Sequence, residues 1–104
     1  MRTYNHVGII VKEKAPGAFF DDYLKVWMTD FNLSPNKFEF LTFEEGSPMP
    51  EIIQNQAHIA YTVPSIEEEL KDKEAIFGPL DVNEHLKIVF IEEEGIAVEL
   101  VEIH

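Results

Sequence analysis

A chain of 104 residues carrying 20 acidic against 8 basic side chains has a net charge of −12 at pH 7, a field that repels a nucleic-acid backbone. Cysteine is absent, which excludes a disulfide framework, a thiolate nucleophile and a Cys-ligated zinc site. The N-terminus, MRTYNHVGIIV, lacks a long apolar segment with a cleavage site, and no apolar run approaches the ~20 residues of a membrane span, so one soluble, cytoplasmic domain over residues 1–104 is expected.

In chain order, Tyr4 to Val11 (YNHVGIIV) reads as a strand, broken by Lys12 to Gly17. A helix is predicted over Pro16 to Phe31, because Phe19, Phe20, Tyr23, Leu24, Trp27 and Phe31 fall on one apolar stripe and Pro16 suits a first helical turn. Those aromatics are expected in the core or at a dimer face. Ser34-Pro35-Asn36 ends the unit, and Lys37 to Phe43 (KFEFLTF) is the next strand. After a Gly/Pro-punctuated loop, Glu51 to Gln54 reads as a helical turn and His58 to Val63 (HIAYTV) as a strand. Ser65 and Glu68 form a capping box that opens a helix to about Lys73. Ala75 to Val82 contains Gly78-Pro79 and suits an edge strand. Leu86 to Glu92 and Ile96 to Ile103 flank Glu93-Glu94-Gly95 as a hairpin. Strands and helices mix without strict alternation, which makes the class α+β.

The chain contains an internal repeat. HVGIIV at His6 matches HIAYTV at His58, and KFEFLTFEE matches AVELVEI when Glu39 is set against Glu99. The two modules run over about residues 1–50 and 57–104. His6 and Glu39 lie 33 residues apart, His58 and Glu99 lie 41 apart, and an extra strand in the second module would account for the difference. Two copies packed about a pseudo-twofold axis bring equivalent residues together, so two imidazoles and two carboxylates would meet. Such a set suits a divalent ion and leaves positions open for substrate. Period 2 places Glu39 with Leu41 and Phe43, and Glu99 with Ala97 and Val101. Isolated carboxylates in that company need pairing or a metal.

HVGIIV, SPMPEIIQNQAHIAYTV, SIEEEL and GIAVELVE together resemble the vicinal oxygen chelate superfamily, which includes glyoxalase I, methylmalonyl-CoA epimerase, extradiol dioxygenases and bleomycin-resistance-type proteins. The resemblance covers almost the whole chain. It implies two βαβββ-type modules, the first shortened by one or two strands, forming a curved mixed sheet around a metal-binding cavity. It also implies that His6, Glu39, His58 and Glu99 hold one divalent ion (Zn, Ni, Co, Mn or Fe). The turn before the last strand departs from the family pattern, reading Glu92-Glu93-Glu94-Gly95.

The expected function is a lactoylglutathione lyase-like or epimerase-like metalloenzyme, a lyase or isomerase that removes a proton beside the carbonyl of a small substrate. Glu99 is the candidate base and Glu39 its symmetric partner. The alternatives are a non-enzymatic small-molecule binding or resistance protein and an extradiol-type dioxygenase. A homodimer is expected, with no nucleic acid or membrane partner. His85 and His104 read as incidental, Glu102 as solvent-facing, and Glu67-Glu68-Glu69 as a solvated helix start.

Overall fold

A computed structural model describes residues 1–104. Eight strands form one sheet: β1 (Thr3–Ile10), β2 (Phe19–Asp21), β3 (Val26–Met28), β4 (Phe38–Phe43), β5 (His58–Thr62), β6 (Phe77–Asn83), β7 (Leu86–Glu93) and β8 (Ile96–Ile103). Two short helices, α1 (Glu51–Asn55) and α2 (Ile66–Glu69), accompany them. The spatial order is β2-β3-β4-β1-β5-β8-β7-β6, and the sheet curls into a half-barrel. The class is α+β, as expected.

The order makes the repeat visible. Reading outward from the centre, the first half runs β1-β4-β3-β2 and the second runs β5-β8-β7-β6. Within each half the first and last strands pair in parallel, and β1 and β5 meet antiparallel at the join. The registers coincide: Gly8 lies beside Glu39 and Ala60 beside Glu99, each two residues beyond its histidine.

The helix predicted over Pro16 to Phe31 does not form. That segment is the β2–β3 hairpin followed by a 3-10 turn at Phe31–Leu33. Asp21 folds the chain back: its Oδ1 accepts from the backbone N–H groups of Tyr23 at 3.0 Å and Leu24 at 2.9 Å. Lys25 takes positive φ, and its N–H donates to the Asp21 carbonyl. Aromatic and β-branched residues suit a pleated surface as well as a helix face, and the free edge of β4 decides between them by pairing with Val26, Trp27 and Met28. The first module is therefore shortened by its helix and not by strands. The longer His-to-Glu spacing of the second module comes from α2 and the adjoining 3-10 turn at Leu70–Asp72, not from an extra strand.

The other expected elements form close to their predicted bounds. The Ser65 hydroxyl accepts from the Glu68 N–H at the start of α2. β6 is an edge strand with a cis Gly78-Pro79 bond. Glu94 and Gly95 both take positive φ in the two-residue turn between β7 and β8, as a type I′ hairpin requires. Glu102 is more than a solvent-facing acid. Its Oε1 accepts from the Ile66 N–H at 2.8 Å, tying the start of α2 to β8.

Alternation along the strands divides the apolar residues between two faces. Inside the curl, Leu24, Val26, Leu41, Met49, Ile53, Ile88, Phe90 and Val101 form one cluster. Outside, Val63, Ile66, Val89, Ile91, Val98 and Leu100 pack where α2 crosses the second half. The first half has no helix on that side. There Phe20 packs on Trp27, and Lys14 sits 4.0 Å over the Trp27 ring.

Arg2 anchors β1 to the second half. Its guanidinium donates to both carboxylate oxygens of Glu93 at 2.8 and 2.9 Å and to Glu69 at 3.0 Å. Lys73 also reaches Glu93, at 2.8 Å. Arg2 and then Lys73 hold the Glu93 carboxyl well below its ordinary value, at about 2. Because the network is partly exposed, Arg2→Ala is expected to lower stability by only about 1 kcal/mol, read as a shift in urea midpoint without a change in slope.

Candidate metal centre and cavity

His6 lies within β1 and His58 opens β5, the first strands of the two halves, and both point inside the curl, where they are 4% and 3% exposed. Glu39 on β4 and Glu99 on β8 point the same way. All four residues predicted to converge do so. His58 Nε2 lies 3.0 Å from Glu99 Oε1, and His6 Nε2 lies 3.3 Å from Glu99 Oε1 and 3.5 Å from Glu39 Oε1. Donor atoms of His6, Glu39 and His58 all fall within 4.8 Å of one another.

Each histidine is held in place. Asn5 Oδ1 lies 2.7 Å from His6 Nδ1 and fixes the ring so that Nε2 faces the carboxylates. Phe31 stacks on the His6 ring with centroids 4.2 Å apart. The His58 ring meets Phe90 edge-on at 5.2 Å and lies directly over Gly8. His6 Nε2 and His58 Nδ1 are buried without a hydrogen-bond partner. The His6 contacts to Glu39 and Glu99 are thus ion-pair contacts rather than aligned hydrogen bonds.

Of the four, His6, Glu39 and His58 form a group that could hold a divalent ion, while Glu99 contacts both histidines from outside that group. Bonds of about 2.1 Å to nitrogen and oxygen place neighbouring donors about 3.0–3.4 Å apart in octahedral or tetrahedral geometry, and the observed contacts of 3.0, 3.3 and 3.5 Å are close to that spacing. Two imidazoles and two carboxylates match the ligand preferences of first-row divalent metals.

Without an ion, the charges stabilise one another. Burial would lower the pKa of His6, but the Glu39 and Glu99 carboxylates outweigh it and raise the value to about 9. Burial would raise the pKa of Glu99, but His58 and His6 outweigh it and hold the value at about 2. The two shifts bracket a pH window. His6, whose folded pKa lies above the ordinary 6.5, contributes stability that is complete below 6.5 and lost as pH rises through about 9. Glu99, whose folded pKa lies below the ordinary 4.5, contributes stability that is complete above 4.5 and lost as pH falls through about 2. Metal-free protein should therefore be most stable between about pH 4.5 and 6.5, as thermal melts with a chelator present would show.

The four side chains lie in a cavity of about 560 Å³. Sixteen of its 24 lining residues are apolar, among them Leu24, Met28, Phe31, Met49, Ile88 and Phe90. Phe90 thus lines the cavity, whereas Tyr61 lies on the other face beneath Arg2, whose guanidinium is 5.6 Å from its ring centre. His85 and His104 contact each other near the C-terminus, through His85 Nδ1 and the His104 carbonyl, and take no part in the cavity.

Two solved structures share this architecture. A hypothetical protein from Bacillus halodurans C-125 aligns over 99% of this chain and 95% of its own, with a TM-score of 0.67 and 20% identity. Methylmalonyl-CoA epimerase from Mycobacterium tuberculosis aligns over 98% of this chain and 88% of its own, with a TM-score of 0.65 and 14% identity. The curled half-barrel is shared with both structures and is consistent with a vicinal-oxygen-chelate-like fold. No family model and no curated protein matches the chain. At these identities the likeness establishes the fold alone, and the chemistry of this chain follows from its own side chains.

Three residues of the site escaped the sequence reading: Asn5, Gly8 and Phe31. Gly8 did carry a signal, since glycine inside a strand marks a close approach by another group. Gly8 is paired across the β1–β5 join with His58, as Ala60 is with His6, so a small residue lies opposite each histidine.

Proposed function

We propose that this chain is a metal-dependent lyase or isomerase, glyoxalase-like or epimerase-like, that removes a proton beside a carbonyl of a small substrate. One observation carries the reading: His6, Glu39, His58 and Glu99 converge in a largely apolar cavity, with His6 Nε2 buried, unpartnered and aimed at two carboxylates. The four residues would hold one divalent ion (Zn, Ni, Co, Mn or Fe). When bound, it would supply Lewis-acid polarisation of the substrate carbonyl.

The protein's own groups divide the remaining work. Asn5 fixes the His6 tautomer, leaving Nε2 free of its second proton once that proton is displaced. Glu99 is the base: burial keeps it away from bulk water, and its contacts to His6 and His58 keep it ionised and oriented. Glu39, at the pseudo-symmetric position, balances the charge of His6 and could receive or return the proton on the opposite side of the substrate. The apolar walls exclude water and strengthen electrostatic interactions inside the cavity.

A second reading, a non-enzymatic binding protein, is supported by the way His6 and the two carboxylates compensate one another without an ion. Metal analysis of natively purified protein separates the two. About one divalent ion per chain is expected, and failure to bind any of the five metals would eliminate the catalytic reading. An oxygen requirement would instead favour a dioxygenase. A cytoplasmic homodimer acting on a small molecule remains part of the proposal. The aromatic face of the first half that no helix covers supports dimerisation, and no helix is long and apolar enough to cross a membrane.

A further inference from the structure

The charges around the cavity are all of one sign apart from the histidines. Its four charged lining residues are Asp21, Glu39, Asp81 and Glu99, and no lysine or arginine is among the 24. Five of the eight basic side chains are engaged elsewhere: Arg2 and Lys73 on Glu93, Lys25 on Asp22, Lys71 on Glu68, and Lys14 over Trp27; Lys87 is the cross-strand neighbour of Asp81 but does not line the cavity.

The carboxylates occupy two depths. Glu39 and Glu99 lie at the floor beside the histidines, with side chains 14% and 10% exposed. Asp21 and Asp81 lie at the rim, half-buried and exposed respectively, on β2 and β6. These are the two edge strands of the curled sheet and equivalent elements of the two halves, so each edge places one acid at the opening. The lining also includes the aromatic side chains of Tyr23, which is exposed, and of Phe31, Phe43 and Phe90.

A phosphate, sulfonate or carboxylate entering this chamber would meet two rim acids before reaching His6, no lysine or arginine in the lining, and a chain of net charge −12. A cleft of one charge sign with low-dielectric walls concentrates ions of the opposite sign. Aromatic faces add an attraction for a cation within about 6 Å of a ring centre. We infer that the cavity takes small apolar molecules bearing no negative charge, and that it prefers a cationic ligand to its neutral isostere. The inference deepens the proposed function and rests on this cavity being the substrate chamber. Any acyl or carbonyl substrate is then presented without a nucleotide or carboxylate handle.

The test uses three probes of one shape, 2-naphthylmethylammonium, 2-naphthylmethanol and 2-naphthoate, titrated calorimetrically into the full chain at neutral pH. The protein is kept metal-free with a chelator in one series and loaded with zinc in another. In the metal-free series the cation should bind tightest and the anion at least about tenfold more weakly than the cation, a gap that narrows with added salt. Asp81→Asn should reduce the cation-to-neutral affinity ratio at least about threefold, and Asp81→Lys should reduce it further and improve anion binding, since charges near a surface interact at a few ångströms with an effective dielectric near 20. An anion that binds metal-free protein as well as the neutral probe does would overturn the inference, as would failure of both the cationic and neutral probes to bind. The two readings fail separately. Loss of zinc binding with the charge order intact removes only the metal proposal, while zinc binding together with an anion preference in the metal-free series removes only this one.

Discussion

Glu99→Gln should lower turnover by about 10²–10⁴-fold, the range associated with loss of a positioned general base, while leaving the fold in place. Glutamine keeps the shape of glutamate, so the β8 register and the packing of Ala97 and Val101 beside it need not change. What disappears is the negative charge facing His58 Nε2 at 3.0 Å and His6 Nε2 at 3.3 Å. A neutral amide cannot take the proton, and it is a poorer ligand for a divalent ion. The change also has a readout that needs no substrate. In metal-free protein Glu39 would be the only carboxylate left to raise His6, so the His6 pKa should fall below its parental value of about 9 in an NMR titration. Turnover within about tenfold of the parent would remove Glu99 as the base. An unmoved His6 titration would mean that the two side chains do not meet.

Gly8→Ala should damage the site almost as severely, although Gly8 carries no chemistry. A Cβ built at Gly8 falls 2.2 Å from His58 Cε1, 2.6 Å from Nδ1 and 2.8 Å from Nε2. The ring cannot easily withdraw, because it is buried between Phe90 and Glu99. Either the ring rotates out of the donor set or the β1–β5 pairing opens at the centre of the sheet. Overpacking of this kind costs about 1–3 kcal/mol, and each kcal/mol moves the melting temperature of a domain of this size by roughly 4–8 °C. The variant should therefore melt lower and bind metal at least about tenfold more weakly, the scale seen when the groups that orient a ligand are lost. A variant with unchanged metal affinity would show that His58 need not sit over Gly8.

Both results bear on how far the amino-acid order alone goes. The ligand set was readable because it is repeated. His6 and His58 each precede an apolar run within a strand, and Glu39 and Glu99 each interrupt one, so period 2 sends all four to the same face once the two halves are paired. Alternation is local, set by the backbone of each strand, and survives any arrangement that keeps one face buried. The β7–β8 turn and the cap of α2 are local for the same reason: Glu94-Gly95 and Ser65 act on their immediate neighbours.

Residues 16–31 were not decided locally. Phe19, Tyr23, Trp27 and Phe31 have the spacing of a helix stripe and also the side chains of a strand, so propensity and periodicity point in different directions. The exposed hydrogen-bonding edge of β4 settled the matter, and that edge exists only after the sheet has formed. The same holds for the space above Gly8, which depends on where His58 lies 50 residues later, and for the acids at the rim, since Asp21 and Asp81 become neighbours of one cavity only when the sheet curls. Local alternation dictates which side chains share a face. Which faces close on one another is left to the pairing of distant strands, because inter-strand hydrogen bonding and the curl of the sheet are properties of the assembled chain and not of any one segment.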